Sequence, residues 1–193
     1  MTEKPLTTLE YALLGLVGMA PMSGYDVHKV FDTTPMGHFS SSPGAIYPAL
    51  RRLERRGLLE ARLDQTTETR PRRVYSLSEA GEAALLAWLR EPVTREGMVR
   101  DAGVPILRFS LMQGRLSAPA VVAYLEGYRQ VVKSYVEELR GYLPDVQVDN
   151  ALHARLALER GMSGYESDID WIGHAIAVIK RTRRGVRRRR ASR

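Results

Sequence analysis

One segment of the chain, residues 42–60, constrains the fold more than any other. Its sequence is SPGAIYPALRRLERRGLLE. Ser42 can cap a helix through its hydroxyl, Pro43 suits the first helical position, and Gly57 suits the left-handed conformation in which helices often end. Apolar residues recur between them at intervals of four and three, so one helix face should enter a core. We therefore predict a short helix from Ser42 to Gly57 that leads into a strand.

The outer face of this predicted helix is basic. It carries Tyr47, Arg51, Arg52 and Arg55. Pro48 lies inside the helix and removes one backbone hydrogen bond, which predicts a kinked or loosened first turn. A basic helix that leads into a strand is typical of a DNA-recognition element, and a plain amphipathic surface helix is the alternative.

The net charge of the chain, +7, is concentrated near its C-terminal end. Residues 180–193 hold nine basic residues and no acid, and the rest of the chain has a formal charge of −2. Residues 42–73 carry eight arginines and four acidic residues, a local charge of +4. This local excess, rather than the charge of the whole chain, indicates an anion-binding surface.

Several function classes are disfavoured by composition. The chain has no cysteine, which excludes disulfides, thiolate zinc sites and cysteine nucleophiles. The four histidines lack metal-ligand spacing, and no phosphate-binding or dinucleotide-binding glycine motif is present. We therefore expect no enzyme activity, no cofactor and no metal site. No apolar run approaches ~18 residues and no signal-peptide pattern is present, so we expect a cytoplasmic protein that does not bind membranes.

Three helices are predicted before residue 57. Thr7 begins the first with a capping box, because Glu10 falls at the third helical position. Ser23 caps the second, which should continue to about Asp32, and Ser42 begins the third. Short helices joined by tight turns predict a helix-turn-helix unit.

A hairpin and a fourth helix should follow this unit. Residues 58–63 and 73–77 alternate as short strands on either side of the polar segment DQTTETRPR. Ser78 then caps a helix that should end before Pro92. Together these elements predict a winged helix-turn-helix with the hairpin as its wing; a hairpin that only supports the fold is the alternative.

The C-terminal half is predicted to form two long helices. One should run from about residue 117 to Pro144, and the other from about 148 to 182. Both have apolar residues at spacings of four and three, and their apolar surface exceeds what one helix pair should bury. We therefore expect a homodimer formed by these residues: Val121, Leu125, Tyr128, Val132, Leu139, Leu158, Met162, Tyr165, Ile169, Ile172 and Ile176.

The expected fold is mainly α, with an N-terminal winged helix-turn-helix and a C-terminal antiparallel pair of long helices. Residues 1–91 should form the DNA-binding domain and residues 92–103 a linker. Residues 104–182 should form the helical dimerisation domain, and residues 183–193 a basic, disordered tail.

The chain resembles PadR-family transcriptional regulators of the longer subgroup with a helical C-terminal domain. The matching segments are SGYDVHKVF at 23–31, PGAIYPALRRLERRGLLE at 43–60, RRVYSLSEAGEAALLAWL at 72–89 and LERGMSGYESDIDWI at 158–172. The resemblance implies a dimeric winged-helix DNA-binding protein, usually a repressor and often released by a small molecule. Ala45 stands where family members often carry a polar residue, and the arginine-rich tail after Lys180 is not part of the family pattern.

The predicted DNA-binding residues lie at the start of the second helix, on the third helix and on the wing: Ser23, Tyr25, Ser42, Gly44, Tyr47, Pro48, Arg51, Arg52, Arg55, Arg70, Arg72 and Arg73. Amides near Ser42 and Gly44 can face a phosphate. Arg51 can pair with guanine, whereas Arg52 and Arg55 are better placed for phosphates. For Tyr25, a packed core aromatic is the alternative.

The expected partner is double-stranded DNA with a dyad-symmetric operator. The alternative function is a winged-helix protein-interaction module whose arginine-rich tail binds nucleic acid without sequence preference. A small-molecule effector would find aromatic side chains at Tyr124, Tyr128, Tyr135 and Trp171, although these positions also suit a helical core.

Overall fold

The computed structural model describes residues 4–40, 42–64, 72–142 and 151–191, with side chains to Thr182. The chain divides into two compact units, Met1–Glu91 and Pro92–Arg193. Across the described ranges, no helix is both long enough and apolar enough to cross a membrane.

The first unit is a winged helix-turn-helix, as the sequence predicts. Its elements are α1 (Thr8–Val17), β1 (Met22–Ser23), α2 (Gly24–Thr33), a 3₁₀ turn (Pro35–His38), α3 (Pro43–Arg55), β2 (Leu59–Asp64), β3 (Arg72–Leu77) and α4 (Glu79–Arg90). The three strands form an antiparallel sheet in the order β1-β3-β2. Helices α1, α3 and α4 enclose a core of buried leucines, and Tyr11 stacks on Trp88 with ring centroids 4.4 Å apart.

Side-chain caps begin the first two helices. The hydroxyl of Thr7 accepts from the amide of Glu10 at 3.2 Å, and the amide of Thr7 donates to the Glu10 carboxylate at 2.9 Å. The predicted capping box is therefore confirmed. Ser23 forms a second capping box with Asp26, which the sequence analysis did not identify.

Helix α3 ends at Gly57 as predicted, but its N-terminal cap differs from the prediction. Ser42 is the N-cap residue, but its side chain makes no capping hydrogen bond, so the expected role of its hydroxyl was wrong. Because the start of α3 is exposed, water can accept hydrogen bonds from its first backbone amides instead. At the other end, Gly57 has φ +68°, and the amides of Gly57 and Leu58 donate to the carbonyls of Glu54 and Leu53. This is the hydrogen-bond pattern of a glycine-terminated helix.

Strand β1 was not predicted from the sequence. It has only two residues, Met22 and Ser23, which pair with Tyr75 and Val74 of β3. Because α2 begins at the next residue, this pairing places the start of α2 beside the wing strand. The short strand thus brings together two elements that are about 50 residues apart in sequence.

The second unit is helical. Its elements are α5 (Arg95–Arg100), α6 (Gly103–Leu111), α7 (Ala118–Tyr142) and α8 (Leu152–Ala191). Lys180 pairs with Glu126 at 3.0 Å, whereas Arg140 pairs with Glu166 at 2.7 Å. Since the partner's number falls as the position along α7 rises, α7 and α8 pack antiparallel, as predicted.

Two segments of this unit differ from the sequence expectation. Residues 92–103 were expected to be a linker, but they contain α5, which Thr94 caps and which buries Met98. Residues 183–193 were expected to be disordered, but the backbone of α8 continues helically to Ala191. Pro144, the predicted end of the first long helix, lies outside the described residues.

Most of the predicted dimerisation residues are buried within a single chain. Those with less than a tenth of their surface exposed are Val121, Leu125, Tyr128, Val132, Met162, Ile172 and Ile176. The others, Leu139, Leu158, Tyr165 and Ile169, are partly exposed. The apolar residues of the two heptad patterns therefore lie between α7 and α8 of the same chain. One helix pair buries more of these residues than was expected from the sequence.

Candidate nucleic-acid interface

A basic cleft opens on one side of the first unit, where α2, α3 and β3 meet. Its volume is about 850 Å³. It is lined by Ser23, Gly24, Tyr25, Tyr47, Arg51, Glu54, Arg55, Arg72, Arg73 and Tyr75. Seven of these ten residues were predicted to bind DNA, although they come from three separate segments of the sequence.

The cleft forms because each element turns its apolar face into the core. On α3, Ile46, Leu50 and Leu53 are fully buried, which leaves the face with Arg51 and Arg55 exposed. On β3, Tyr75 is buried and forms part of the cleft wall. The pairing of β1 with β3 then closes the third side with the first turn of α2.

Two tyrosines project into the cleft. Tyr25 is 62% exposed, so the alternative interpretation of a packed core aromatic was wrong. Tyr47 is 37% exposed and lies against Gly24, where an added methyl group would come within 2.6 Å of Tyr47 Cε1. The absence of a side chain at Gly24 therefore makes room for the Tyr47 ring, and Gly24 was not among the predicted site residues.

Four arginines and one glutamate set the charge of the cleft. Arg51 and Arg55 lie on α3, and Arg72 and Arg73 lie on β3. Glu54 forms an ion pair with Arg73, and its hydrogen bond raises the pKa of that guanidinium above the usual arginine value. Glu54 thus holds a wing arginine against α3, and the remaining positive charge favours an anionic ligand.

Glu54 and Tyr75 were missed by the sequence analysis. Glu54 lies three residues after Arg51, so helical spacing places both at the same surface, and that signal was available. Tyr75 lies two residues after Arg73 on β3, so both side chains point to the same side of the strand. Burial raises the pKa of the Tyr75 phenol, so the hydroxyl stays protonated at neutral pH and can donate a hydrogen bond.

Arg52 has a different environment from the other arginines of α3. Its Nε donates to Glu10 Oε1 at 3.0 Å, and Glu10 is only 4% exposed. Burial alone would raise the pKa of Glu10, but the Thr7 amide and Arg52 outweigh it and lower that pKa below the ordinary value. Arg52 therefore ties α3 to α1 and does not line the cleft.

The remaining predicted residues lie around the cleft or outside the described residues. Ser42, Gly44 and Pro48 are exposed on the first two turns of α3 but do not line the cleft. Ser23 lines it, yet its hydroxyl donates to Asp26 at 2.6 Å and serves the α2 cap. Arg70 lies outside the described residues.

This arrangement suits binding of an extended anion. The cleft offers guanidinium and phenol donors on three sides, which match phosphate oxygens and base edges. Within the described ranges, no group of three or more His, Asp or Glu residues could hold a metal ion.

Two protein-family models match the chain. Residues 13–87 match the transcriptional regulator PadR-like family, and residues 111–180 match the virulence activator alpha C-terminal domain. The first match covers α2, α3 and the described wing strands, and so contains the whole cleft. The second ends at Lys180.

The chain is also similar to proteins that are named as transcriptional regulators. It is 26% identical to a probable transcriptional regulator of Mycobacterium tuberculosis over 193 residues, covering 91% of this chain and 99% of that protein. It is 30% identical to the negative transcriptional regulator PadR of Bacillus subtilis over 84 residues, covering 44% of this chain and 46% of that protein. The second similarity therefore concerns only part of either protein.

Solved structures also resemble it. One is Bacillus subtilis PadR in complex with operator DNA, at 23% identity and a TM-score of 0.42, with 90% of this chain and 99% of that chain covered. Another is the PadR-like regulator BC1756 of Bacillus cereus, at 19% identity and a TM-score of 0.42, with 93% and 99% covered. From the two family models and the similar regulators, we conclude that this chain belongs to the PadR-like family of transcriptional regulators.

Proposed function

We propose that this chain is a dimeric, sequence-specific DNA-binding regulator that represses transcription and is released by a small molecule. The observation that carries the proposal is the basic cleft, in which residues from α2, α3 and β3 converge on one surface. Four of its ten lining residues are arginines, and a duplex presents phosphates on both sides of each groove.

In the proposed complex, α3 enters the major groove with its N-terminal end first. Arg51 lies at the middle of its exposed face, where a guanidinium can pair with guanine O6 and N7. Arg55 lies one turn further along α3 and suits a phosphate. Tyr25 and Tyr47 offer phenol donors near the start of the same groove.

The wing supplies the second contact in this proposal. Arg72 is exposed at the start of β3, and Arg73 is held by Glu54 across from it. Arg72 is therefore available to a phosphate at once, whereas Arg73 must first leave its carboxylate partner. Loss of the Glu54 ion pair therefore offsets part of the affinity that Arg73 gains from a phosphate.

The homodimer in this proposal uses a face of α8 other than the heptad pattern. Leu152 and Leu156 are 58% and 51% exposed, one turn apart at the beginning of α8. At about 100° per residue they lie on a different side of the helix from Met162 and Ile172, which are buried. Exposed leucines at this spacing are suited to pack against the same leucines of a second copy.

Repression and release are the less direct parts of the proposal. Repression is supported by the similarity to a protein named as a negative regulator. For release, the second unit offers a partly polar aromatic cluster: the Tyr124 hydroxyl donates to the Pro105 carbonyl at 3.0 Å, and Arg108 lies over the Tyr124 ring at 5.1 Å. A ligand that bound there would have to rearrange these contacts, which would couple binding to the packing of α6 on α7.

The decisive test is selection of duplexes from a random pool by the purified full-length protein. We expect enrichment of a dyad-symmetric sequence, protection of both half-sites in footprinting, and two chains per site in sedimentation. An Arg51→Ala variant should lose the enriched sequence while it still binds random duplex. Failure of the wild-type protein to enrich any sequence would overturn the proposal.

A further inference from the structure

The arginine-rich end of the chain is a continuation of α8. The family model of the C-terminal domain ends at residue 180, whereas the helix continues to Ala191. Residues 181–191 would extend the helix by roughly 16 Å at about 1.5 Å per residue. This added length carries seven arginines and no acidic residue.

The positions of these arginines on the helix are uneven. With about 100° between successive residues, six of the seven fall within one half of the helix circumference. These six are Arg181, Arg183, Arg184, Arg187, Arg188 and Arg190. The opposite half holds Thr182, Gly185, Val186 and Arg189. The helical backbone therefore arranges the charge as a one-sided basic strip.

This strip has no acidic residues to balance it along its own helix. The last acidic residue of α8 is Asp170, well before Arg181. Pairs such as Arg183 with Arg187 and Arg184 with Arg188 are four residues apart, where like charges destabilise a helix. Their place at a helix C-terminus offsets part of that cost. An external polyanion would remove the rest.

We infer that the basic end of α8, residues 181–191, is a second DNA-binding element, which contacts duplex phosphates without sequence preference. The inference rests on the proposed function. It adds a contact that supplies general affinity to the one that supplies recognition. Without residues 181–193 the formal charge falls from +7 to −1, so most long-range attraction to DNA comes from this end.

The composition of the strip favours a nucleic acid over a membrane surface. A helix that lies on a membrane needs a continuous apolar face opposite its basic face. Residues 181–191 contain only Val186 and Ala191 as apolar side chains. Duplex DNA requires no such face, because it binds through its phosphates.

The test compares two variants with the same net charge. One replaces Arg183, Arg187 and Arg190, which share a helix face, with glutamine; the other replaces the exposed Lys4, Lys133 and Arg160 with glutamine. Each variant loses three positive charges. Glutamine has a helix propensity close to that of arginine, and circular dichroism checks that both variants keep their helix content.

The measurement is binding to a random-sequence 30-base-pair duplex over a series of NaCl concentrations. We expect the slope of log K against log salt to become shallower by ~0.9 for each phosphate no longer neutralised, or about 2.7 for the strip variant. The control variant should keep a slope close to that of the wild type. Equal slopes for the two variants would overturn the inference.

Two further experiments test the choice of DNA as the partner and distinguish failure of this inference from failure of the proposed function. Tighter binding of wild-type protein to duplex RNA of equal length, or to phosphatidylserine-containing vesicles, would overturn the choice of DNA. Selection from a random DNA pool reports on the basic cleft alone, since the strip variant should enrich the same sequence as the wild type. Loss of enrichment in the wild type would thus reject the proposed function, whereas equal salt slopes would reject only the strip.

Discussion

The ring of Tyr47 on α3 lies directly against Gly24, the first residue of α2, and only the absence of a side chain at Gly24 allows this contact. A methyl group at Gly24 would come within 2.6 Å of Tyr47 Cε1 and 3.6 Å of a Leu50 methyl. The distance to Leu50 is an ordinary van der Waals contact, so the clash is with the partly exposed Tyr47 ring alone. Gly24 therefore sets the position of Tyr47 in the basic cleft.

Gly24→Ala should lower DNA affinity mainly through Tyr47. The added methyl should displace the ring toward solvent, while alanine contributes up to ~1 kcal/mol of helix propensity, so stability should change little. The measurement is a double-mutant cycle with Tyr47→Ala on the selected duplex. We expect a coupling of about 0.5–3 kcal/mol, because removal of the ring leaves the methyl nothing to displace. Strictly additive losses would show that Gly24 acts independently of Tyr47.

Arg51 and Arg52 are adjacent in sequence, but their substitution should affect different properties: DNA affinity for Arg51 and folding stability for Arg52. Arg51→Ala should reduce affinity for the selected duplex by ~1–3 kcal/mol more than for random duplex, if the side chain pairs with guanine. Arg52→Ala should instead destabilise the fold by about 1 kcal/mol, since it removes a charged hydrogen bond to buried Glu10 from a half-exposed side chain.

Paired titrations on selected and random duplex, together with urea unfolding of both variants, check this contrast. Each variant serves as the control for the other. Equal losses of Arg51→Ala on both duplexes would make Arg51 a phosphate contact. A normal unfolding midpoint for Arg52→Ala would remove Arg52 from the packing of α3 on α1.

The difference between these two arginines shows how far the sequence could lead. Helical spacing predicted an exposed basic face on α3, and that face is present. Spacing alone could not separate Arg51 from Arg52, because the partner of Arg52 is Glu10, which is 42 residues away. The capping box predicted that Glu10 lies in the first turn of α1 and bonds to Thr7. It did not predict that the second carboxylate oxygen of Glu10 accepts a hydrogen bond from Arg52 of α3.

The β1 strand and the heptad patterns show the same limit. A two-residue strand has no periodicity to detect, so the contact between α2 and the wing followed only from the tertiary fold. Heptad spacing predicts that a helix face is covered, but not whether a second helix of the same chain or another chain covers it. Here α8 covers α7, and Val136, which lies outside the predicted set, is buried with it.

The carboxylate of Glu10 should make the first unit sensitive to acid. Its pKa is lowered in the folded chain, so ionised Glu10 stabilises the fold above its unfolded pKa, near 4.5. That stabilisation should be lost as the pH falls from about 4.5 through the lower, folded pKa. Urea unfolding between pH 3 and pH 7 measures it, with Glu10→Gln as the comparison. The difference in unfolding free energy between wild type and variant should shrink below pH 4.5, and a constant difference would contradict the assignment.

The dimer should depend on the exposed leucines of α8 and not on the heptad residues. Leu156→Glu places a charge on a side chain that is about half exposed in one chain, so the monomer should stay folded, within about 0.5 kcal/mol. Burial of that charge at a two-fold interface would face its own copy, so dimerisation should weaken at least about tenfold, or about 1.4 kcal/mol. Ala154→Glu, at an exposed position on the opposite side of the same helix, is the matched control and should leave dimerisation unchanged. Substitution of the buried Val132 would not be informative, because it would disrupt the packing of α7 on α8 directly.

Sedimentation equilibrium of both variants, followed by titration on the full selected duplex, is the measurement. A dimer that tolerates Leu156→Glu as well as Ala154→Glu would place the contact elsewhere, whereas its selective loss, with a matching fall in affinity for the full site, would place the two leucines at the dimer contact.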